Sequence, residues 1–221
     1  MRASLGDGGR ARLESIYYVL TYLCHRECAH CYEERFRPYH GAQRDAVAAQ
    51  SAAKVPRIIA NLPDRLTYRD GSSELPSSVI LAGGEVLLDA VRESALYPAL
   101  RLLRDKYAPQ GGVKVIVQTT GDVLTPRILE ELLALGVWMV SVSGIDAFHQ
   151  GMETEAARRH LVEKLSRWFE SAGMHPHDGA GEAARTGATG ARYFQFFGAT
   201  PDRWIGKLWP RGRAWKNVLS T

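Results

Sequence analysis

The 221-residue chain contains little cysteine, only three residues, and all three fall in one short stretch. An odd, clustered count cannot supply the disulfide framework of a small secreted domain and points to a reducing compartment. Long apolar runs are missing as well. No stretch approaches the ~20 residues that cross a bilayer, and residues 1–13 lack the apolar core of about 7–15 residues found in signal peptides. The expectation is a soluble, cytoplasmic protein with no membrane contact. The chain carries a net charge of +4 and a pI near 9.0. Its cations are dispersed, with no basic run interleaved with aromatics, so no nucleic-acid partner is expected and the charge is assigned to a solvated surface. What remains is ordinary globular composition, 45% apolar and 24% charged, over a length that suits one domain with a sizeable core.

The cysteines stand as Cys24-His-Arg-Glu-Cys28-Ala-His-Cys31, directly after the apolar run Ile16-Tyr-Tyr-Val-Leu-Thr-Tyr-Leu23. Three thiolates can hold an iron–sulfur cluster and leave one iron open for a substrate or cofactor. A structural zinc site wants four protein ligands, and His25, His30 or His40 could supply the fourth. The cysteine run alone leaves both readings open.

The remainder of the chain alternates short Val/Ile-rich runs with amphipathic stretches. Strands are predicted near residues 16–23, 79–82, 113–119 and 137–143, and helices over 44–61, 87–107, 126–135 and 155–172. Thr125-Pro126 opens the third helix as an N-cap followed by a first-turn proline. Strand, helix, strand at this spacing predicts α/β architecture with parallel pairing through right-handed crossovers. Residues 178–191 read as a glycine-rich surface loop, 193–197 as another strand, and 204–215 as an aromatic, basic tail.

In parallel α/β folds functional groups gather where strands end. Here the first strand runs into the cysteine loop, the second into Gly83-Gly84-Glu85, the third into Thr119-Thr120-Gly121-Asp122 and the fourth into Ser141-Val-Ser143-Gly144-Ile-Asp146. Parallel strands bring all four ends to one rim. Each motif has a plain alternative as a tight turn, a cap or a loop; together they describe a cofactor pocket.

With these residues in view, the chain resembles the radical S-adenosylmethionine (SAM) superfamily, whose Cys-x3-Cys-x2-Cys signature after strand one is present as Cys24, Cys28 and Cys31. The likeness spans about residues 16–172. It implies a partial (β/α)6-type TIM barrel over 16–200, preceded by an N-terminal extension (1–15) and followed by the tail (201–221). Gly83-Gly84-Glu85 is similar to the Gly-Gly-Glu that holds the amino group of SAM. Thr119-Thr120-Gly121 falls where many members carry Thr-Asn-Gly, and Ser141 and Ser143 where many carry Ser-x-Asp-Gly near the ribose and carboxylate. His30 takes the often aromatic place near the adenine. Val86, Thr120 and Ser143 replace the Pro, Asn and Asp frequent at those places. Residues 173–179 match the family's adenine-side motif poorly. Pro210-Arg211-Gly212-Arg213-Ala214 is similar to the Gly-Arg-Ala that precedes a cysteine-rich extension in peptide-modifying members; no cysteine follows it here, so no auxiliary cluster is expected.

The resemblance implies that the three cysteines ligate a [4Fe-4S] cluster whose fourth iron chelates SAM. One electron from a low-potential donor such as a flavodoxin or ferredoxin then cleaves SAM to methionine and a 5′-deoxyadenosyl radical, which abstracts hydrogen from a substrate, a peptide or protein on the Gly-Arg-Ala likeness. Two other readings stand beside it: a zinc-stabilised binding module, and a catalytically degenerate fold kept as a partner subunit. Further candidates have bland alternatives. Arg26 and Glu27 read as exposed loop residues, while Arg158 and Arg159 are either SAM-carboxylate ligands or surface charges. His149 and the His175/His177 pair are either a proton shuttle or second metal site, or plain loop histidines. Trp204, Trp209 and Trp215 with their neighbouring cations either clasp substrate or close the barrel's open end.

Overall fold

The computed structural model describes residues 13–177, 190–198 and 211–217. In chain order the elements are β1 (Ser15–Thr21), α1 (Gly41–Ala60), β2 (Thr67–Asp70), β3 (Ser73–Pro76), β4 (Ser78–Gly83), α2 (Asp89–Val91), α3 (Tyr97–Tyr107), β5 (Lys114–Thr119), α4 (Pro126–Ala134), β6 (Met139–Ser143), α5 (Glu155–Ser171), β7 (His175–Pro176), β8 (Tyr193–Phe197) and α6 (Gly212–Lys216). No helix among the described residues is long and apolar enough to cross a membrane.

Six strands form one parallel sheet in the order β1-β4-β5-β6-β8-β7. The first four stand side by side in chain order, as the alternation of strands and helices predicts. The last two do not: β8 is inserted between β6 and β7. Proline explains the order. β7 is only His175–Pro176, and Pro176 has no N–H to give to an inner ladder, so this strand is confined to the edge. The five-residue β8 pairs along its whole length with β6.

Alternation along the strands divides the sheet into two faces. Val79, Leu81, Val115, Val117, Val140, Val142 and Phe194 point to one face and share a core with Val55 and Ile59 of α1, Leu100 and Leu103 of α3, Leu129 and Leu132 of α4, and Leu165 and Phe169 of α5. On α1 the buried positions Ala48, Ser51, Val55 and Ile59 recur every three or four residues, the period that turns one helical stripe inward. Successive right-handed crossovers in one direction put every helix on the same side, which is the winding of β1, β4, β5 and β6. The opposite face carries Tyr17, Ile80, Ile116, Gln118, Met139, Ser141, Tyr193 and Gln195 in register. At its N-terminal end Ile116, Trp138, Met139 and Tyr193 form a second, smaller cluster.

Two local features were not predicted. β2 and β3 form a hairpin turned at Gly71, whose φ of 60° favours glycine. Their four-residue, polar runs carry too little alternation to read as strands. The helix predicted over 87–107 is interrupted by a π-helical turn at Arg92–Leu96, just before Pro98, which has no N–H for a regular i→i−4 bond. Thr125 caps α4 as predicted, its hydroxyl accepting from the Ile128 N–H at 3.2 Å.

Candidate functional site

The rim at the C-terminal ends of the strands is knitted together by backbone. Leu23 bridges Arg37, and the Cys24 N–H donates to the Arg37 carbonyl at 3.1 Å, which closes residues 24–37 into a loop. The Gly84 and Glu85 N–H groups donate to the carbonyls of Thr21 and Leu23 at 3.0 and 2.8 Å, so the turn after β4 is fastened beneath the start of that loop. Glycine is required there. A Cβ on Gly83 would stand 2.4 Å from the Thr21 carbonyl oxygen, and one on Gly84 would stand 2.2 Å from that of Leu23 and 2.9 Å from the Cys24 Cβ.

The three cysteines are free, with Cys24 and Cys28 buried and Cys31 half-buried. The Arg26 N–H points at the Cys24 sulfur and the Gln150 N–H at the Cys28 sulfur, each at 3.4 Å, while the Cys31 thiol donates to the Glu33 carbonyl at 3.3 Å. Burial pushes the Cys28 and Cys31 thiols up; the other thiols push the same way, and Arg213 opposes. Among the described residues no cysteine belongs to a trio of His, Cys, Asp or Glu ligand atoms lying within 4.8 Å of one another. Thiolates around one tetrahedral zinc, with bonds of about 2.3 Å, stand about 3.8 Å apart. The loop therefore does not have the spacing of a mononuclear zinc site. The candidate fourth ligands are engaged elsewhere or exposed: His25 pairs with Asp122 and also meets the Cys24 thiol, His30 packs on His149, and His40 is exposed at the start of α1.

Glu85 is fully buried. Its carboxylate accepts from the Leu87 N–H at 2.9 Å, the Thr119 hydroxyl at 2.8 Å, the Thr120 N–H at 2.7 Å and the Thr120 hydroxyl at 2.6 Å. Four donors match the acceptor capacity of a carboxylate, so this side chain ties the β4 and β5 turns together. The Thr120 hydroxyl also meets Asp122, and its single proton serves one carboxylate at a time. Asp122 reaches back to the cysteine loop, accepting from His25 Nε2 and from the Arg26 guanidinium, both at 2.7 Å. Burial works against the Asp122 anion, but His25, Thr120 and Arg26 hold its carboxyl well below the usual range. The same pairing, with help from Cys24, lifts His25 to about 10. Arg26, read from sequence as an exposed loop residue, is 6% exposed and is corrected to a buried ion-pair partner; Glu27 is exposed as expected.

The turn after β6 supplies the other wall. Asp146, 6% exposed, accepts from the N–H groups of Phe148 and His149 at 2.9 and 3.2 Å and from His149 Nδ1 at 2.9 Å. His30 lies edge-on to the His149 ring, with centroids 4.3 Å apart. Burial first, and His149 beside it, lower the His30 imidazole to about 4. Ser141 accepts from the Gln195 amide at 2.7 Å, and the Ser143 hydroxyl donates to the Thr119 carbonyl at 3.3 Å. Arg158 is tied to the Met152 carbonyl at 2.7 Å, and Arg159 is exposed beside Glu163. His175 lies on the edge strand and His177 directly after it, the latter against Trp138 and Tyr193, away from this rim.

A clamp from the far end of the chain completes the loop. The Arg213 guanidinium donates to the carbonyls of Cys28, Glu34 and Phe36 at 2.9, 3.0 and 2.8 Å. The Arg213 N–H donates to the Cys31 carbonyl at 2.9 Å and Asn217 donates to the Ala29 carbonyl at 2.9 Å. Gly212 makes room, since a Cβ there would stand 2.5 Å from the Tyr32 carbonyl. Trp215 is exposed, while Trp204 and Trp209 and most of residues 178–191 lie outside the described residues. Sequence reasoning missed the roles of Arg26, Asp122, Asp146 and Arg213. Asp122 and Asp146 had a signal in the strand-end motifs and Arg213 one in the Gly-Arg-Ala motif, but their partners were not legible. In comparisons with known proteins, no family model matches the chain and no curated protein matches it.

Proposed function

We propose that this protein is a radical SAM enzyme built on a partial parallel barrel, with Cys24, Cys28 and Cys31 as the ligands of one [4Fe-4S] cluster. The observation that carries the reading is the position of the thiol loop. It lies over the C-terminal rim of a parallel sheet, clasped to the Gly83-Gly84 turn, above a sheet face that no helix among the described residues covers. The residues fit such a group in part: two of the sulfurs face backbone N–H groups, and Arg26 and Arg213 offset some of the burial that pushes the Cys28 thiol up, thiolate being the form that binds iron. The bound cluster and SAM would supply the electron transfer and radical formation that side chains cannot.

The chain's own residues then hold, orient and exclude. Arg213 fixes the carbonyls of Cys28, Glu34 and Phe36 and so holds the shape of the cysteine loop. Glu85 acts through Thr119 and Thr120, holding the turns in register, which leaves the backbone of Gly83 and Gly84 as the surface nearest Cys24. Tyr17, Gln118, Ser141 and Gln195 form a polar layer on the uncovered face, suited to orienting a substrate, and the Ile116, Trp138, Met139 and Tyr193 cluster beneath shuts out water from the N-terminal end. The structural work of Arg213 gives the Gly-Arg-Ala motif a reason independent of any peptide substrate.

Anaerobic reconstitution tests the reading. Bound iron and sulfide, lost in Cys28→Ala, together with 5′-deoxyadenosine formed from SAM by the reduced protein, are the expected results. Stoichiometric zinc without sulfide would overturn it, and a cluster without 5′-deoxyadenosine would favour the partner-subunit reading.

A further inference from the structure

We propose that His30, Asp146 and His149 form a second metal site, for a divalent first-row transition-metal ion, separate from the three thiols. The three side chains come from the cysteine loop and from the turn after β6, and each offers a ligand atom within 4.8 Å of the other two. Two imidazoles and one carboxylate are a donor set of intermediate softness that suits zinc, iron, cobalt or nickel rather than calcium or magnesium, and they leave coordination positions open. The separation of His149 Nδ1 and Asp146 Oδ1 is 2.9 Å. Adjacent ligands of an octahedral ion with bonds of about 2.1 Å stand about 3.0 Å apart, so this pair already has the bite of two neighbouring ligands.

Two further features point to a ligand. His30 Nδ1 is buried without a hydrogen-bond partner, an arrangement folded proteins rarely leave in place. The His149 ring is seated against Gly144, where a Cβ would stand 2.7 Å from it, and Asp146 is held by two backbone N–H groups, so both are aimed before any ion arrives. The other trio of this kind, His25, Glu85 and Asp122, differs. Its carboxylates are taken up by threonine hydroxyls, backbone N–H groups and the Arg26 guanidinium, which an ion would have to displace. At the His30 site the two backbone N–H groups hold Asp146 in place, and an ion takes the position of the proton that His149 Nδ1 donates to Asp146, which moves to Nε2 of the same ring.

The site uses no thiolate and stands whether or not the cluster reading holds. Anaerobic titration of the full chain with Co2+ tests it, comparing wild type, His149→Gln, and a variant with all three cysteines changed to serine. The expected result is a His149-dependent Co2+ species with weak visible bands, distinct from any thiolate charge-transfer absorption given by the three cysteines, which the cysteine variant lacks. It persists in the cysteine variant and binds about 100-fold more weakly in His149→Gln, whose far-UV spectrum stays that of wild type. If the cysteine variant does not fold, the difference between wild type and His149→Gln carries the same information. Equal Co2+ binding in those two proteins overturns the site. Failure of the cluster reading would appear elsewhere, as missing sulfide and iron in a protein that still shows His149-dependent Co2+ binding.

Discussion

At the N-terminal end of the central strands, Ile116, Met139 and Tyr193 stand in register across three neighbouring strands and pack with Trp138. At the C-terminal end of the same strands lie three thiols, a saturated buried glutamate, an ion-paired Asp122 and a His–Asp–His group. One end is filled by dispersion and exclusion of water. The other holds buried polar groups that cost free energy unless each has a partner. The difference lies in how each end is held: apolar layers pack the frame, and the rim spends hydrogen bonds on tying its turns together and aiming the side chains they carry.

Changes on each side sharpen that contrast. Glu85→Ala would leave the donors of Thr119, Thr120 and Leu87 without their acceptor and is expected to cost about 3–5 kcal/mol in urea unfolding; a loss below about 1 kcal/mol would break the account of its role. Leu81→Ala, on the helix-covered face, should cost about 2–4 kcal/mol by its cavity with metal retention unchanged. Gln118→Ala on the uncovered face should cost less than about 1 kcal/mol, and equal losses at the two positions would erase the distinction between the faces. Arg213→Ala should cost about 1–3 kcal/mol and, on the proposed cluster reading, release iron from the reconstituted protein during gel filtration. Arg213→Lys, which keeps the charge but not the planar fork, should recover part of that retention.

The smallest effect lies at the apolar end. Lys114 is 9% exposed, with its Nζ 4.8 Å from the Trp138 ring centroid, and burial lowers its pKa from 10.5. A depressed lysine makes the unfolded chain bind more protons, so its contribution to stability rises as pH climbs from the lowered value towards 10.5. Lys114→Met is expected to raise the melting temperature by a degree or two near neutral pH, about 0.5 kcal/mol, and to flatten that slope. An unchanged slope in the variant would show that the cation is accommodated without cost.

Much of the frame was legible before any coordinates. Periods of two and 3.6 mark Val115, Val117, Val140 and Val142 as strand positions and the α4 and α5 stripes as helical, because those periods are local geometry written in consecutive residues. The Cys24-Cys28-Cys31 spacing and the polar motifs at strand ends were equally plain. Sequence alone determined that the chain alternates strand and helix, pairs its strands in parallel and carries its reactive groups at one rim. Tertiary structure decided that β8 lies inside β7, that Arg26 is buried against Asp122 across 96 residues, that Arg213 clamps a loop 185 residues away, and that His30 meets His149. Such pairings leave no periodic trace. They depend on which loops the packed sheet brings within a few ångströms, and on which buried charge would otherwise be left without a partner.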